Sequence, residues 1–390
     1  MTLNILHVIS SLNPATGGPP AVLMRLASGQ AALGHSVRTI SYGSPDANRW
    51  LADATRDVPF ADRVRHAFLP LLTRPERVAP RSAKRALPEC VRDADVVHIH
   101  GVWDHIVRVA ANTARRAKVP YVITPHCMLN TWSLGQSAWK KRLALMLGYR
   151  RMLNDAALLQ ALNADEARMI SAMGLQARTV IIPNGIYESE MHAVTTGDEF
   201  ANAYRGLDGQ PYVVFLGRLH LQKGVDVLVD AFAQLRSNGR RCKLVLIGPD
   251  YGLLAALQKK IAHYHLSQDV ILTGPVFGRL KLSALAGAAC FCLPSRQEGF
   301  SMAILEAMAV GVPVVISEGC NFPEVAEAGA GIVTQLDASK IADGLEYVLA
   351  DAPRAALMGT HGRALVQSRY TWPKIAEQML SAYASITPRQ

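Results

Sequence analysis

The sequence has little of what would tie a chain to a membrane span, a disulfide framework or a structural metal. No apolar stretch approaches the roughly 20 residues that a spanning helix needs. The opening MTLNILHVIS has no basic segment ahead of a long apolar run, which argues against a secretory leader. Six cysteines stand at 90, 127, 242, 290, 292 and 320, and no two form a CxxC pair. They read as small buried apolar residues in a reducing compartment, not as metal ligands. Charged residues make up only 18% of the chain and apolar residues 50%, so it can bury a large core and does not read as disordered. A cytoplasmic protein is expected.

Acidic residues are scarce in one half only. Residues 1–190 hold 23 Lys and Arg against 14 Asp and Glu, a balance of +9, whereas residues 191–390 hold 18 against 17. The first half should therefore meet something anionic. Residues 60–92 carry eight cations against three acidic residues, and AWKKRLALMLGYRRML (138–153) adds five cations beside an apolar stripe at helical spacing. No basic-aromatic motif accompanies them, so nucleic acid is not expected. Peripheral contact with the anionic inner-membrane leaflet is.

What the sequence does have is alternation. NILHVIS, SVRTISY, DVVHIHG and YVITPH read as buried strands separated by helical patterns such as PPAVLMRLASGQAALG. A second series, PYVVFLG, CKLVLIG, DVILTG, ACFCLPS and PVVIS, begins near residue 210. Apolar strands alternating with helices imply parallel sheets covered on both faces. We read two doubly wound α/β domains, residues 1–190 and 191–370, facing each other across a cleft. The polar stretch NGIYESEMHAVTTGDEFANAYRGLDGQ reads as a linker between them. Residues 371–390 read as a final helix, with Pro373 in its first turn, packing back toward the first domain.

In such sheets ligands gather at the carboxyl ends of the strands. Ser301 is a good N-cap for a helix through MAILEAMAV, stopped by Gly311 and Pro313. The N–H groups of its first turn make an anion site. Glu298 precedes this helix and Glu306 lies about one and a half turns into it. A carboxylate would repel a phosphate, so the two read as acceptors from sugar hydroxyls. A phosphate flanked by polyols describes a nucleotide-sugar. Arg218 and Lys223, after the strand YVVFLG, can neutralise a diphosphate, and Gly17 and Gly18 let backbone approach phosphate closely. A solvated glutamate, surface cations and a plain tight turn are the ordinary readings of the same residues.

Two further motifs invite metal and are set aside. HIHGVWDH (98–105) is similar to the H-x-H-x-D-H of zinc hydrolases, but three residues separate His100 from Asp104 where that motif has one. DAD (93–95) imitates a metal-binding D-x-D, yet it precedes a strand, at the wrong end of the sheet. No metal is expected. His100 and Trp103 are candidates for the acceptor side.

Glu298 and Glu306, with seven residues between them, GF after the first and AMA after the second, resemble the signature of family 4 glycosyltransferases. GRLHLQKGVDVLVDAF (217–232), IIPNGI (181–186), TGPV (273–276) and GGPP (17–20) resemble further motifs of that family in the right order. The resemblance implies the GT-B fold, two Rossmann-like domains, with the acceptor on the first and the nucleotide-sugar on the second. It implies that Gly17, Gly18, Arg218, Lys223, Phe300 and Ser301 hold the donor diphosphate. Glu306 would then bind the ribose, Glu298 the donor sugar, and Val276 would lie on the base side. By the same resemblance His126, in ITPHCML, is the active-site histidine that contacts the donor sugar. Transfer of a hexosyl-type sugar with retention, without a cofactor or metal, to a lipid-linked or oligosaccharide acceptor is implied. HCMLNTWSLGQSAWKKRLA is similar to segments of exopolysaccharide and lipopolysaccharide enzymes. A nucleotide-sugar epimerase or hydrolase, or a non-catalytic sugar-nucleotide-binding protein, would share the architecture.

Overall fold

The computed structural model describes residues 2–13, 17–135, 138–192 and 196–387. The chain divides into two compact units, Met1–Tyr187 with Trp372–Gln390, and Glu188–Thr371.

The first unit is built on a seven-stranded sheet. Its strands are β1 (Asn4–Val8), β2 (Ser36–Tyr42), β3 (Arg65–Leu69), β4 (Val96–His100), β5 (Tyr121–Thr124), β6 (Leu158–Ala161) and β7 (Thr179–Ile181). They run parallel in the order β3-β2-β1-β4-β5-β6-β7. Alternation sorts the side chains to two faces. Leu6, Val8, Val97 and Ile99 pack with buried residues of the helices Arg81–Arg92 and His105–Ala117. Ile5, Ile9, Val96, Val122 and Leu158 pack with the helices Pro19–Ala32 and Trp372–Ala384. Fully apolar strands thus follow from a sheet covered on both sides.

The final helix joins this unit although it comes from the far end of the chain. Trp372 N–H donates to the Ile186 carbonyl at 3.0 Å, and Trp372, Ile375, Ala376, Met379 and Tyr383 are all buried. Each large apolar side chain buried there contributes about 1.5–3 kcal/mol. Gly29 eases the approach: a Cβ on it would lie 3.1 Å from Ala376 Cβ, a tight contact.

The second unit carries six parallel strands: β8 (Tyr212–Leu216), β9 (Lys243–Ile247), β10 (Val270–Gly274), β11 (Cys290–Leu293), β12 (Val314–Ser317) and β13 (Gly331–Thr334), ordered β10-β9-β8-β11-β12-β13. In both sheets the chain works outward one way, then returns to the middle and works outward the other way. The reversal falls between β1 and β4 in the first sheet and between β8 and β11 in the second. The two units are Rossmann-like.

The stretch expected to be a linker is largely helical. Glu188–His192 and Asp198–Ala203 are helices, and residues 193–195 lie outside the described residues. Phe200 is fully buried against Tyr204 and Tyr212, and the Phe200 N–H donates to Ser283 Oγ at 3.0 Å. One aromatic anchor turns a polar segment into part of the second unit. The strands β3, β6, β7 and β13, absent from the sequence reading, are short, at an edge, or both. Of the six cysteines, four are buried and Cys90 and Cys127 are half-buried.

Candidate functional site

In the second unit the candidate residues collect where the sheet reverses. Arg218 and Lys223 follow β8, and residues 295–301 follow β11, its neighbour. The two loops are pressed together. Arg296 N–H donates to the Gln222 carbonyl at 2.8 Å, and Ser295 Oγ lies 3.1 Å from the same carbonyl. Gly224, at φ +69°, is required: a Cβ there would lie 1.7 Å from the Pro294 carbonyl oxygen.

This contact brings Lys223 Nζ to 2.7 Å from Glu298 Oε1, with the side chains 16% and 8% exposed. Ser295 Oγ also donates to Oε1. Glu298 Oε2 takes no hydrogen bond from any described residue. The Glu298 backbone is fixed as well, its N–H donating to the Gly319 carbonyl at 2.7 Å and its carbonyl accepting from Asn321 Nδ2 at 3.0 Å. Lys223 precedes the next helix and does not open it. It lies in a 3-10 turn, Leu221–Lys223, and the helix begins at Val225, because Gly224 in the left-handed region breaks the run.

Arg218 is exposed, with its guanidinium 5.1 Å over the Tyr251 ring. Ser301 occupies the N-cap of the helix Met302–Ala309, yet its side chain makes no capping hydrogen bond. The first-turn N–H groups are thus not capped by Ser301, which suits an anion site. Glu306 pairs with Lys281 at 2.8 Å, a bond that uses only Oε1. Lys281 belongs to the helix Gly278–Ala286, which starts two residues after the buried Val276. Phe300 is half-buried in an aromatic cluster with Phe322 and Tyr370, ring centroids 5.6 and 6.1 Å away.

In the first unit Gly17, at φ +107°, and Gly18, the N-cap of the helix Pro19–Ala32, follow β1 at the reversal of the first sheet. His126 lies just past β5 with φ +50°, followed by Cys127 at +62°. Two non-glycine residues in the left-handed region need outside support. Glu166 supplies it. Its buried carboxylate accepts from Cys127 N–H at 2.6 Å and Leu162 N–H at 2.8 Å. Burial pushes its carboxyl up, against the lowering effect of those N–H groups.

His100 is not past the end of its strand. It is the last residue of β4, 2% exposed, bonded through Nε2 to His7 Nδ1 at 2.9 Å and through Nδ1 to His126 Nε2 at 3.0 Å. Trp103 is half-buried and donates its indole N–H to the Met128 carbonyl at 3.3 Å. Residues 136 and 137 of the 126–144 segment lie outside the described residues. In the DAD segment Asp95 accepts from Asn4 N–H at 2.7 Å and Asp93 lies 3.7 Å from Arg38, so both serve the turn before β4.

His7, Gln30, His98, Glu166 and Tyr383 are site neighbours that the sequence reading missed. On one face, β1 runs Ile5 to His7, β4 runs Val96 to His98 to His100, β5 runs Val122 to Thr124, and β6 runs Leu158 to Gln160. Four neighbouring strands turn from apolar to polar toward their carboxyl ends, a period-two signal available in the sequence. Burial pushes His7 and His126 each down to about 4. It also holds His98 and His100 well below the usual range, helped by the neighbouring histidines. The row is therefore neutral at pH 7. Ring nitrogens of His7, His98 and His100 come within 4.8 Å of one another, a spacing an ion could bridge. All six of those nitrogens, however, already have hydrogen-bond partners in the protein.

Two parallel, doubly wound units define the GT-B class. HepE of Anabaena, in a crystal structure with UDP and glucose, matches at a TM-score of 0.77 over 98% of this chain and 100% of that one, at 20% identity. Residues 17–185 match the Glycosyl transferase 4-like domain and residues 198–365 match Glycosyl transferases group 1. The chain belongs to this family of glycosyltransferases. The putative glycosyltransferase EpsF of Bacillus subtilis is 30% identical over 62% of this chain, which spans 62% of EpsF's own length. The phosphatidyl-myo-inositol mannosyltransferase of Mycobacterium tuberculosis is 28% identical over 95% of this chain and 93% of that protein.

Proposed function

We propose that the chain transfers a hexosyl-type sugar from a nucleoside-diphosphate sugar to a hydroxyl of a lipid-linked or oligosaccharide acceptor, with retention of configuration. The observation that carries this reading is the Lys223–Glu298 pair beside the uncapped start of the helix Met302–Ala309, at the reversal of the second sheet. A diphosphate needs cations and N–H donors, and a sugar needs acceptors. Lys223, Arg218 and the residues from Phe300 and Ser301 onward are assigned the first task, with Gly17 and Gly18. Glu298, through Oε2, which takes no hydrogen bond from a described residue, takes the donor sugar, and Glu306 the ribose, with Val276 on the base side. The complexes of HepE with UDP and UDP-glucose support the ligand class by likeness of fold.

In the step itself the bond from the anomeric carbon to the diphosphate breaks, and its electron pair leaves with the phosphate. The acceptor oxygen forms its bond on the same face and gives its proton to a departing phosphate oxygen. Lys223 and Arg218 oppose the charge that grows on the leaving group. His126 is assigned a hydrogen bond to the sugar being transferred, and no metal or cofactor is required.

A membrane-facing role is part of the proposal. Trp139, Leu143, Met146 and Leu147 are exposed at 68%, 46%, 83% and 62%, up to a kink at Leu147 and Gly148, with Lys140 and Arg142 also exposed beside them. No helix among the described residues is long and apolar enough to cross a membrane. An apolar edge flanked by cations suits an anionic leaflet.

The test is incubation with UDP-, GDP- and ADP-sugars, with and without a hydroxyl acceptor, followed by NMR of the anomeric proton. Acceptor-dependent transfer with retention, unchanged by a chelator, is expected. Release or isomerisation of the sugar at full rate without acceptor would replace this reading by a hydrolase or epimerase.

A further inference from the structure

The polar row of the first unit forms one continuous hydrogen-bond chain, and its direction is fixed at one end. Gln160 Nε2 lies 2.8 Å from the Ile182 carbonyl, which can only accept. Gln160 Oε1 therefore faces Thr124, whose hydroxyl donates to it at 2.6 Å. Its one proton spent, Thr124 Oγ1 accepts from His98 Nε2–H at 2.6 Å. His98 Nδ1 is then bare and accepts from the Tyr383 hydroxyl at 2.5 Å. The Tyr383 oxygen accepts from Gln30 Nε2 at 3.3 Å, which turns Gln30 Oε1 toward His7 Nε2–H at 2.7 Å. His7 Nδ1 accepts from His100 Nε2–H, and His100 Nδ1 accepts from His126 Nε2–H.

We infer that this chain locks His126 as the neutral Nε2–H tautomer, so that its Nδ1 meets substrate as a hydrogen-bond acceptor and never as a proton donor. His7, His98, His100, Gln30, Thr124, Gln160 and Tyr383 are then positioning residues. The inference rests on the assignment of His126 to the transferred sugar, and it names the chemistry of that contact: Nδ1 takes a hydrogen bond from a sugar hydroxyl. Reversal at any member reverses every member between it and His126, because each neutral imidazole has one donor and one acceptor. Burial keeps the rings neutral and so keeps the chain directional. Among the described residues, the row's own Tyr383 has its phenol pushed up by burial, and the neighbouring Glu166 has its carboxylate occupied by two backbone N–H groups.

The test is a long-range proton–nitrogen correlation spectrum of the full chain labelled with ring-15N histidine, with signals assigned by single substitutions. At pH 7 the rings of His7, His98, His100 and His126 should all be neutral Nε2–H tautomers. An Nδ1–H tautomer or an imidazolium at His100 or His126 would overturn the inference, and so would loss of those signals on adding zinc alone. Gln30→Glu sharpens the test. A carboxylate there should let His7 take a second proton in a pH range where the parent ring has none. The new Nδ1–H would force His100 and His126 into the opposite tautomer. Unchanged His126 nitrogen shifts in that protonated variant would contradict the relay. Transfer by His126→Ala at the parent rate would instead remove the role of His126 at the sugar, whatever the spectra show.

Discussion

The two units handle polar groups in opposite ways. In the first, three buried histidines and the half-buried His126, with two glutamines, a threonine and a tyrosine, carry no net charge and satisfy one another along one chain. In the second, full charges meet in pairs, Lys223 with Glu298 and Lys281 with Glu306. A neutral network specifies geometry and tautomer but offers an anion little. An ion pair near a helix start offers a cation whose partner can be exchanged for phosphate. The contrast fits the proposed transfer, with orientation built into the first unit's site residues and charge compensation into the second's.

The comparison can be broken most severely through the helix that closes the first unit. Trp372→Ala should cost about 3–5 kcal/mol, because Trp372 is 1% exposed within the core of the first unit. Calorimetry should show the loss in the first unit, and an unchanged melting profile would refute the packing described. Glu298→Ala comes next. It leaves Lys223 without its partner and removes the group proposed to hold the sugar, and loss of one well-placed site group costs about 10²–10³-fold in turnover. Glu298→Gln should recover stability more than turnover.

Acid comes third. The folded pKa values of His7 and His126 are lowered from 6.5 to about 4, so the unfolded chain binds more protons between those values. Their stabilising contribution is full above pH 6.5 and is lost as pH falls toward 4, at up to about 1.4 kcal/mol per pH unit for each ring. The melting temperature should therefore drop across that window. A flat profile would mean that folding does not lower the affinity of these rings for protons. The smallest effect is expected at the exposed edge. Changing Lys140 and Arg142 to Gln should weaken binding to anionic vesicles by about 1 kcal/mol each, while leaving stability unaltered.

Much of the architecture was legible because buried parallel strands are written as short apolar runs between helical patterns. β2 coincides with SVRTISY, and β11 lies within ACFCLPS. The edge strand β3, with Arg65 and His66 in it, lacks that signal. The helical character of 188–203 was hidden because it depends on Phe200 finding Tyr212 and Ser283, contacts set by the tertiary fold. Glu298 was legible as a residue, but its bond to Lys223 was not, since 75 residues separate them and Gly224 makes the approach. The histidine row was half legible: His98 and His100 stood in one motif, while His7, Gln30 and Tyr383 reach them from separate elements.

The most direct measurement is calorimetric binding of UDP, GDP and ADP to the parent chain and to Lys223→Ala. The account predicts that one nucleotide binds the parent, and that the variant binds it at least tenfold more weakly while keeping its melting behaviour apart from the lost ion pair. Equal affinity in parent and variant, or no nucleotide binding by the folded parent, would contradict it.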